Sequence, residues 1–569
     1  MKRHVVARHG LLLGVVGLLS AAACQQSNAA DAKTAQVDRL FSAWNRTDSP
    51  GCTVGVSRNG AVVYEHGYGM ANLELQVPAR PDTVFAIASI SKVFTAMSVA
   101  LAVRQGKLSF DDEVQKYVPE WADRDDHITI RHLVSHTSGV RDAFTLLGWV
   151  PGGYNTGDTN AAIVNVLARQ RGLNFPPGTK FEYNNGGYNL LASILKRATG
   201  QSLGAFAAAN IFTALGMTHS SFREDPTALT SARASAYTKQ SDGWHVVLDP
   251  SGPAIVGNAG MYSTVGDLLT WMENFDHPRV GTTEMFAAME KPMVLKDGTT
   301  SSYGMGIPTG EYRGVPAFEF SGGDRGVATK VMRFPKQKFS VAVLCNEDSV
   351  VAGGMARVNP DVFTSGIADI YLADALRPVD AGAPAAAPSA PVKLSDAELS
   401  EKTGLYRVVG RDVPILFSVS HGSLMVRSYF DDDSDFEITP VAANHFLLGN
   451  TVPWEFVPAA AGRPKEWHQG QAVLQPVTLT TTALELRGYA GDYRSDELGA
   501  TWTIEMRDSR LVVTNTWPPN QTISPFLKDV FVGDIVGMVK FSRDSRGTVT
   551  GFTVNRASVI GLRFDRVKS

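Results

Sequence analysis

Residues 37 to about 375 mix two hydrophobic periods. Apolar positions form short strand-like runs at the two ends of this block and recur at helical spacing between them. Val54 to Tyr64 predicts a hairpin turning at Arg58-Asn59-Gly60. Residues 90 to 105 predict a helix, and Leu190 to Thr199 predicts another that stops at Gly200. Thr264-Val-Gly-Asp267 predicts a capping box ahead of a helix over 267–275. Val327 to Phe334 and Phe339 to Leu344 predict strands joined by the turn Pro335-Lys-Gln-Lys338. Strands at both ends with helices between predict an antiparallel sheet closed by the two ends of the block.

The pattern then breaks. Residues 376–393, with Ala381-Gly-Ala-Pro-Ala-Ala-Ala-Pro-Ser-Ala-Pro391, have nothing to bury and predict a linker. Beyond it come short alternating runs and almost no helical period. This tail repeats itself. Gly404-Leu-Tyr406-Arg407 returns as Gly491-Asp-Tyr493-Arg494, and Leu424-Met-Val426 as Leu511-Val-Val513. Ile438-Thr-Pro440, Phe446 and Phe456 return as Ile523-Ser-Pro525, Phe531 and Phe541. A near-constant offset implies two copies of one small β-unit, 394–480 and 485–569, each suited to a small barrel.

The 569 residues carry a net charge of -3, which gives no electrostatic case for a nucleic-acid partner. The first residues are an address. Lys2, Arg3 and Arg8 precede the apolar run Leu11 to Leu19, too short to span a membrane, and then Ala21-Ala22-Ala23-Cys24. Residues 1–24 resemble a bacterial lipoprotein signal, which would lipidate Cys24 and tether the protein to a membrane through 25–36. Ala21 stands where such signals usually have leucine. Plain cleavage near Ala23 or at Ala29-Ala30, or an uncleaved anchor, are the alternatives. Each implies export, to the periplasm or as an outer-membrane lipoprotein. Two cysteines remain, Cys52 opening one strand-like run and Cys345 ending another. Antiparallel pairing of these runs would permit a disulfide, and two buried thiols is the other reading. No Cys/His cluster has metal-ligand spacing.

Candidate chemistry centres on Ser89-Ile-Ser-Lys92, just ahead of the apolar run Val93 to Met97. Residues three apart share a helix face, so the Lys92 amine can reach the Ser89 hydroxyl if Ser89 opens the helix. A serine needs its proton taken before it attacks, and a lysine can take it only with a lowered pKa. Tyr183-Asn184-Asn185 offers a phenol for general acid or base work and an amide able to bond both Lys92 and a substrate carbonyl. His136 is a tempting alternative base.

These segments resemble the serine β-lactamase and penicillin-recognising family over about residues 45–350. The likeness is greatest to its class C, D-alanyl-D-alanine carboxypeptidase, esterase and D-aminopeptidase members. Ser89-x-x-Lys92 is similar to the nucleophile motif and Tyr183-x-Asn185 to the second. Gly106 to Asp112, Ile130 to Gly139, Ala259 to Asp267 and Tyr303 to Gly306 resemble further signatures in order. In that family the histidine matching His136 is not the base. The third motif departs: Phe320-Ser321-Gly322-Gly323 stands where the family has Lys-Thr-Gly or His-x-Gly. With Phe320 in place of the cation, substrates marked by a C-terminal carboxylate are disfavoured. Arg325 is a candidate replacement.

The resemblance implies an α/β (α+β) β-lactamase-like domain over 37–375, an antiparallel sheet flanked by helices, followed by the two β-barrels. It implies acyl transfer through Ser89, with Lys92 and Tyr183 moving protons. Asn185, Ser321 and Phe320 would face substrate, and the Ser89 and Gly323 N–H groups would form the oxyanion hole. Thr514 to Asn520 is the candidate for a barrel loop reaching the site. The substrate would be a small molecule, peptide or ester, with no cofactor or metal needed. A D-aminopeptidase- or esterase-like hydrolase is the leading expectation. A β-lactamase or D-alanyl-D-alanine carboxypeptidase is one alternative, and a penicillin- or cell-wall-binding sensor without turnover is the other.

Overall fold

The structure, a computed structural model, describes residues 31–568 apart from 122–124, 151–158, 249–253, 349–357, 379–391, 430–434, 449–451, 478–482 and positions 241, 412, 421, 517 and 557. The signal with Cys24, the tether to residue 30 and most of the Pro/Ala linker lie outside the described residues.

Six strands form one antiparallel sheet: β1 (Cys52–Arg58), β2 (Ala61–Tyr68), β3 (Gly310–Tyr312), β4 (Val315–Asp324), β5 (Val327–Phe334) and β6 (Phe339–Cys345). Their order is β3-β4-β5-β6-β1-β2. The two ends of the block meet inside the sheet, with Cys52 opposite Cys345 and Arg58 opposite Phe339. Cys52 and Cys345 are joined by a disulfide. β5 and β6 are buried along their whole length because helices cover both faces. Four helices matter to the site: α1 (Ser91–Arg104), α2 (Asn185–Thr199), α3 (Val265–Glu273) and α4 (Pro360–Leu372). Val37, Phe363 and Ile367 pack with Val54, Val341 and Val343 on one face. Phe94, Leu268 and Leu269 pack with Val331, Ala342 and Leu344 on the other. α1 is buried on all sides from Ser91 to Ala102, as suits a helix inside a domain rather than on its surface.

Three element boundaries differ from the pattern. Ser89 does not open α1 but sits in a 3-10 turn, Ala88–Ile90, that leads into it. α2 begins at Asn185 because the Asn184 side chain accepts the Gly187 N–H at 2.8 Å. α3 begins at Val265, capped by Thr264. Asp267 does not complete the box: its carboxylate accepts from the His219 N–H and Ser220 hydroxyl instead.

The tail is two closed eight-stranded antiparallel barrels, from Gly404–Val408 to Ala472–Pro476 and from Gly491–Ser495 to Val559–Arg566. The repeat places equivalent tyrosines alike. Tyr406 and Tyr493 are fully buried, and each donates its hydroxyl to a carbonyl earlier in the chain, Lys402 and Tyr489 respectively. The two barrels are used differently. The first has its own aromatic core, with Phe417 stacked on Trp467 at 4.3 Å. The core of the second is continuous with the hydrolase domain, where Trp149 meets Trp502 edge-on at 5.7 Å.

Candidate active site

Ser89 stands beside strand β4. Ala88 before it holds φ +44°, a left-handed conformation that costs a non-glycine residue roughly 1–3 kcal/mol. The surroundings fix this turn. The Ile87 N–H donates to the Met261 carbonyl at 3.0 Å. Thr329 on β5 is placed to donate its hydroxyl to the carbonyls of Ile87 and Gly322, each at 3.1 Å. Gly322 allows this approach, since a Cβ there would stand 2.3 Å from the Ile87 carbonyl oxygen.

Lys92, one turn on, is 2% exposed. Its Nζ lies 3.0 Å from Ser89 Oγ, 2.8 Å from Asn185 Oδ1 and 2.9 Å from the Asn258 carbonyl. The last two can only accept. The reverse orientation of the Asn185 amide would set two donors face to face. Burial pushes the Lys92 amine well below its usual range, and the Asp324 carboxylate opposes this in part. A neutral amine has two N–H bonds and one lone pair. The two carbonyls take both N–H groups, which leaves the lone pair for the proton of Ser89.

Tyr183 completes the group. Lys92 Nζ is 4.7 Å from its ring centre, and its hydroxyl is hydrogen-bonded with Ser89. Burial pushes the phenol up to about 12, with the Ser89 bond opposing. The residue as a whole is 42% exposed, so solvent tempers that rise. Either way the phenol holds its proton at neutral pH. Asn184 locks the segment by donating its backbone N–H to His136 Nδ1 at 3.0 Å and its side-chain amide to the Val140 carbonyl at 2.7 Å. His136 is thus a brace. Burial holds it neutral, and its ring packs on Tyr183, Tyr188 and Tyr303.

The cleft above Ser89 encloses about 330 Å³. Lys92, Tyr183, Tyr303, Glu319, Phe320, Ser321 and Gly323 are among its lining residues. Phe320, on β4, is among the residues that line this cleft, is 4% exposed and belongs to the same hydrophobic core as Val331. Arg325 does not line the cleft; it lies exposed in the turn between β4 and β5. Among the described lining residues the side chains of lysine, arginine, aspartate or glutamate type are Lys92 and Glu319, and Glu319 is bonded to Lys330 at 2.8 Å. The described residues of the Thr514–Asn520 loop that form side-chain hydrogen bonds do so within their own barrel, and Trp517 lies outside the described residues.

The Asn258 carbonyl, a third partner of Lys92, has no mark of its own in the sequence. It lies next to the stretch beginning at Ala259, but a backbone oxygen leaves no side-chain mark. Its support is visible in the fold: Asn189 on α2 donates to Asn258 Oδ1 at 2.8 Å, and Thr95 on α1 donates to the Gly257 carbonyl at 2.8 Å.

Comparison with known proteins places the chain. The Beta-lactamase family pattern matches residues 36–358. A D-aminopeptidase of Gluconobacter oxydans is 27% identical over 320 residues, covering 55% of this chain and 59% of the relative. A D-aminopeptidase of Brucella ovis is 29% identical over 305 residues, covering 52% and 56%. The chain thus spans less than two thirds of these relatives' length. An octameric penicillin-binding protein homologue from Pyrococcus abyssi shares the fold with a TM-score of 0.54 at 22% identity, covering 78% of this chain and 99% of that one. A family match over more than half of the chain, laid on this fold and this serine–lysine geometry, establishes that the protein belongs to the beta-lactamase family of serine hydrolases.

Proposed function

We propose that the protein hydrolyses amides of amino acids or short peptides in the manner of a D-aminopeptidase, through an acyl-enzyme on Ser89. The observation that carries this reading is the charge of the cleft. Among the described lining residues no cation stands ready for a substrate carboxylate, because Phe320 occupies the basic position and Lys92 is buried and engaged. A β-lactam or a D-alanyl-D-alanine terminus carries such a carboxylate. The α-ammonium of an aminoacyl group meets no fixed positive charge there. The likeness to D-aminopeptidases supports the same side.

The chemistry follows from the two shifted groups. Neutral Lys92 takes the Ser89 proton as Oγ attacks the substrate carbonyl. The N–H groups of Ser89 and Gly323 receive the oxyanion; loss of one such donor costs about 100- to 1000-fold in rate. The intermediate collapses as the Tyr183 phenol protonates the leaving amine, and the Lys92 ammonium restores the phenol. Water then attacks the acyl-enzyme, the same groups accepting its proton and returning one to Ser89. Since burial lowers Lys92 and raises Tyr183, Lys92 is the resting base and Tyr183 the acid.

Purified protein should cleave D-aminoacyl nitroanilides faster than their L-isomers and faster than a chromogenic cephalosporin. Ser89→Ala should abolish turnover. Faster cleavage of the cephalosporin would sink the carboxylate argument, and an active Ser89→Ala would sink the mechanism. We also propose that the protein is exported and anchored through Cys24; the Cys52–Cys345 disulfide supports an oxidising compartment.

A further inference from the structure

The second barrel grips the hydrolase domain at two places, and both lead to the segment that carries Tyr183 and Asn185. The first grip is Arg141, whose side chain is 3% exposed. Its Nη1 donates to Glu497 Oε2 at 2.6 Å and to Gln170 Oε1 at 2.9 Å. Its Nε and Nη2 donate to the Ile560 carbonyl at 3.0 and 2.8 Å. Glu497, 12% exposed, also accepts the Arg171 N–H at 2.8 Å. The second grip is Asn174. Its Nδ2 donates to the Ser558 carbonyl at 2.7 Å and to Glu182 Oε1 at 2.8 Å, while its Oδ1 accepts the Ile560 N–H at 2.9 Å. The Asp142 N–H adds a bond to the Ser558 carbonyl at 2.8 Å.

On the hydrolase side these grips stand next to the site. Val140, beside Arg141, accepts from the Asn184 side chain at 2.7 Å. Glu182, bonded to Asn174, directly precedes Tyr183, and its N–H donates to the His136 carbonyl at 2.9 Å. None of Arg141, Asn174, Glu497, Ser558 and Ile560 lines the cleft. The bonds named above link them to Asn184 and Glu182, the neighbours of Tyr183. A buried ion pair that loses one partner leaves an uncompensated charge, so this junction has a narrow geometry. A misplacement of about 1 Å at a reacting group costs on the order of 100-fold in rate.

We propose that the second barrel is a positioning element for proton transfer. Glu497 and the 558–560 turn, held by Arg141 and Asn174, set the place of Tyr183 and Asn185 over Ser89. The proposal rests on Tyr183 as the acid of the reaction above. It is tested in full-length protein with Arg141→Lys, Asn174→Ala and Glu497→Gln, and with Arg563→Ala, in an exposed barrel pair with Asp565, as control. Titration with a fluorophosphonate counts the molecules that present a competent Ser89, so unfolded protein does not enter the rate. Per titrated site, kcat on a D-aminoacyl nitroanilide should fall roughly 10- to 100-fold in the three variants, with KM unchanged and the control at wild-type rate. Unchanged kcat per site, or a rise in KM alone, overturns the proposal. Should Arg141→Lys fail to fold, the near-isosteric Glu497→Gln carries the test. A wild type that takes no phosphonate at all would overturn the Ser89 reading itself, a different failure.

Discussion

Lys92 is 2% exposed, and the atoms within hydrogen-bond distance of its amine are neutral, so the fold holds it against the preference of an ammonium for water. This has a thermodynamic sign. The unfolded chain binds the lysine proton up to a pKa of about 10.4, whereas the native chain releases it at lower pH. Between those values the unfolded state carries more protons, so stability rises with pH through that window. Below the native pKa the cost of the buried amine is complete. Lys92→Met should therefore be inactive yet more stable than wild type at pH 7, by about 1–4 kcal/mol, with the advantage shrinking toward pH 10. Urea unfolding at the two pH values measures this; a variant weaker at both contradicts the account. That Ser89, Lys92, Tyr183 and Asn185 come together was legible in the sequence because each is marked by a side chain at a telling spacing. Arg325 was not, since a charge beside the right strand says nothing of which way the turn presents it.

At the scale of elements, the site depends on how closely β4 approaches the nucleophile turn. Gly322 is the contact point, and the atom it would strike is a backbone oxygen that cannot swing aside. Gly322→Ala should push β4 away and separate the Ser89 and Gly323 N–H groups. We expect a loss of about 100-fold or more in kcat/KM and roughly 1–3 kcal/mol of stability. Wild-type turnover in a folded Gly322→Ala would refute this use of the strand. The strands and the sheet closure were readable because alternation and β-branched runs mark them directly. The helix starts were less so. Asp267 looks like a capping partner in sequence, yet the loop at His219 and Ser220 claims its carboxylate. Asn184 looks like one more loop asparagine, yet it starts α2 and fixes Tyr183.

For the whole molecule, the repeat disclosed two β-units but not their unequal roles. The matched positions, such as Tyr406 and Tyr493, build each barrel's interior. Docking uses positions where the copies differ: Tyr406 pairs with Ile415 on the neighbouring strand, whereas Tyr493 pairs with Trp502, which meets Trp149 edge-on. The disulfide is also a whole-chain device, closing 293 residues of sequence between neighbouring strands. If the protein is exported, material recovered from the cell envelope should have both thiols oxidised. Reduction should then cost about 2–5 kcal/mol of stability. Palmitate incorporation should be lost in Cys24→Ala. Undiminished labelling of Cys24→Ala, or free thiols in the envelope protein, would contradict export through this signal.

The most direct test of the account is the rate of Ser89 modification by a fluorophosphonate as a function of pH. An acid limb set by Lys92 is expected, with an apparent pKa well below 10.5. Lys92→Arg, which cannot lose its charge, should show almost no labelling at any pH. An equal rate and an unchanged profile in Lys92→Arg would show that a neutral lysine does not activate Ser89.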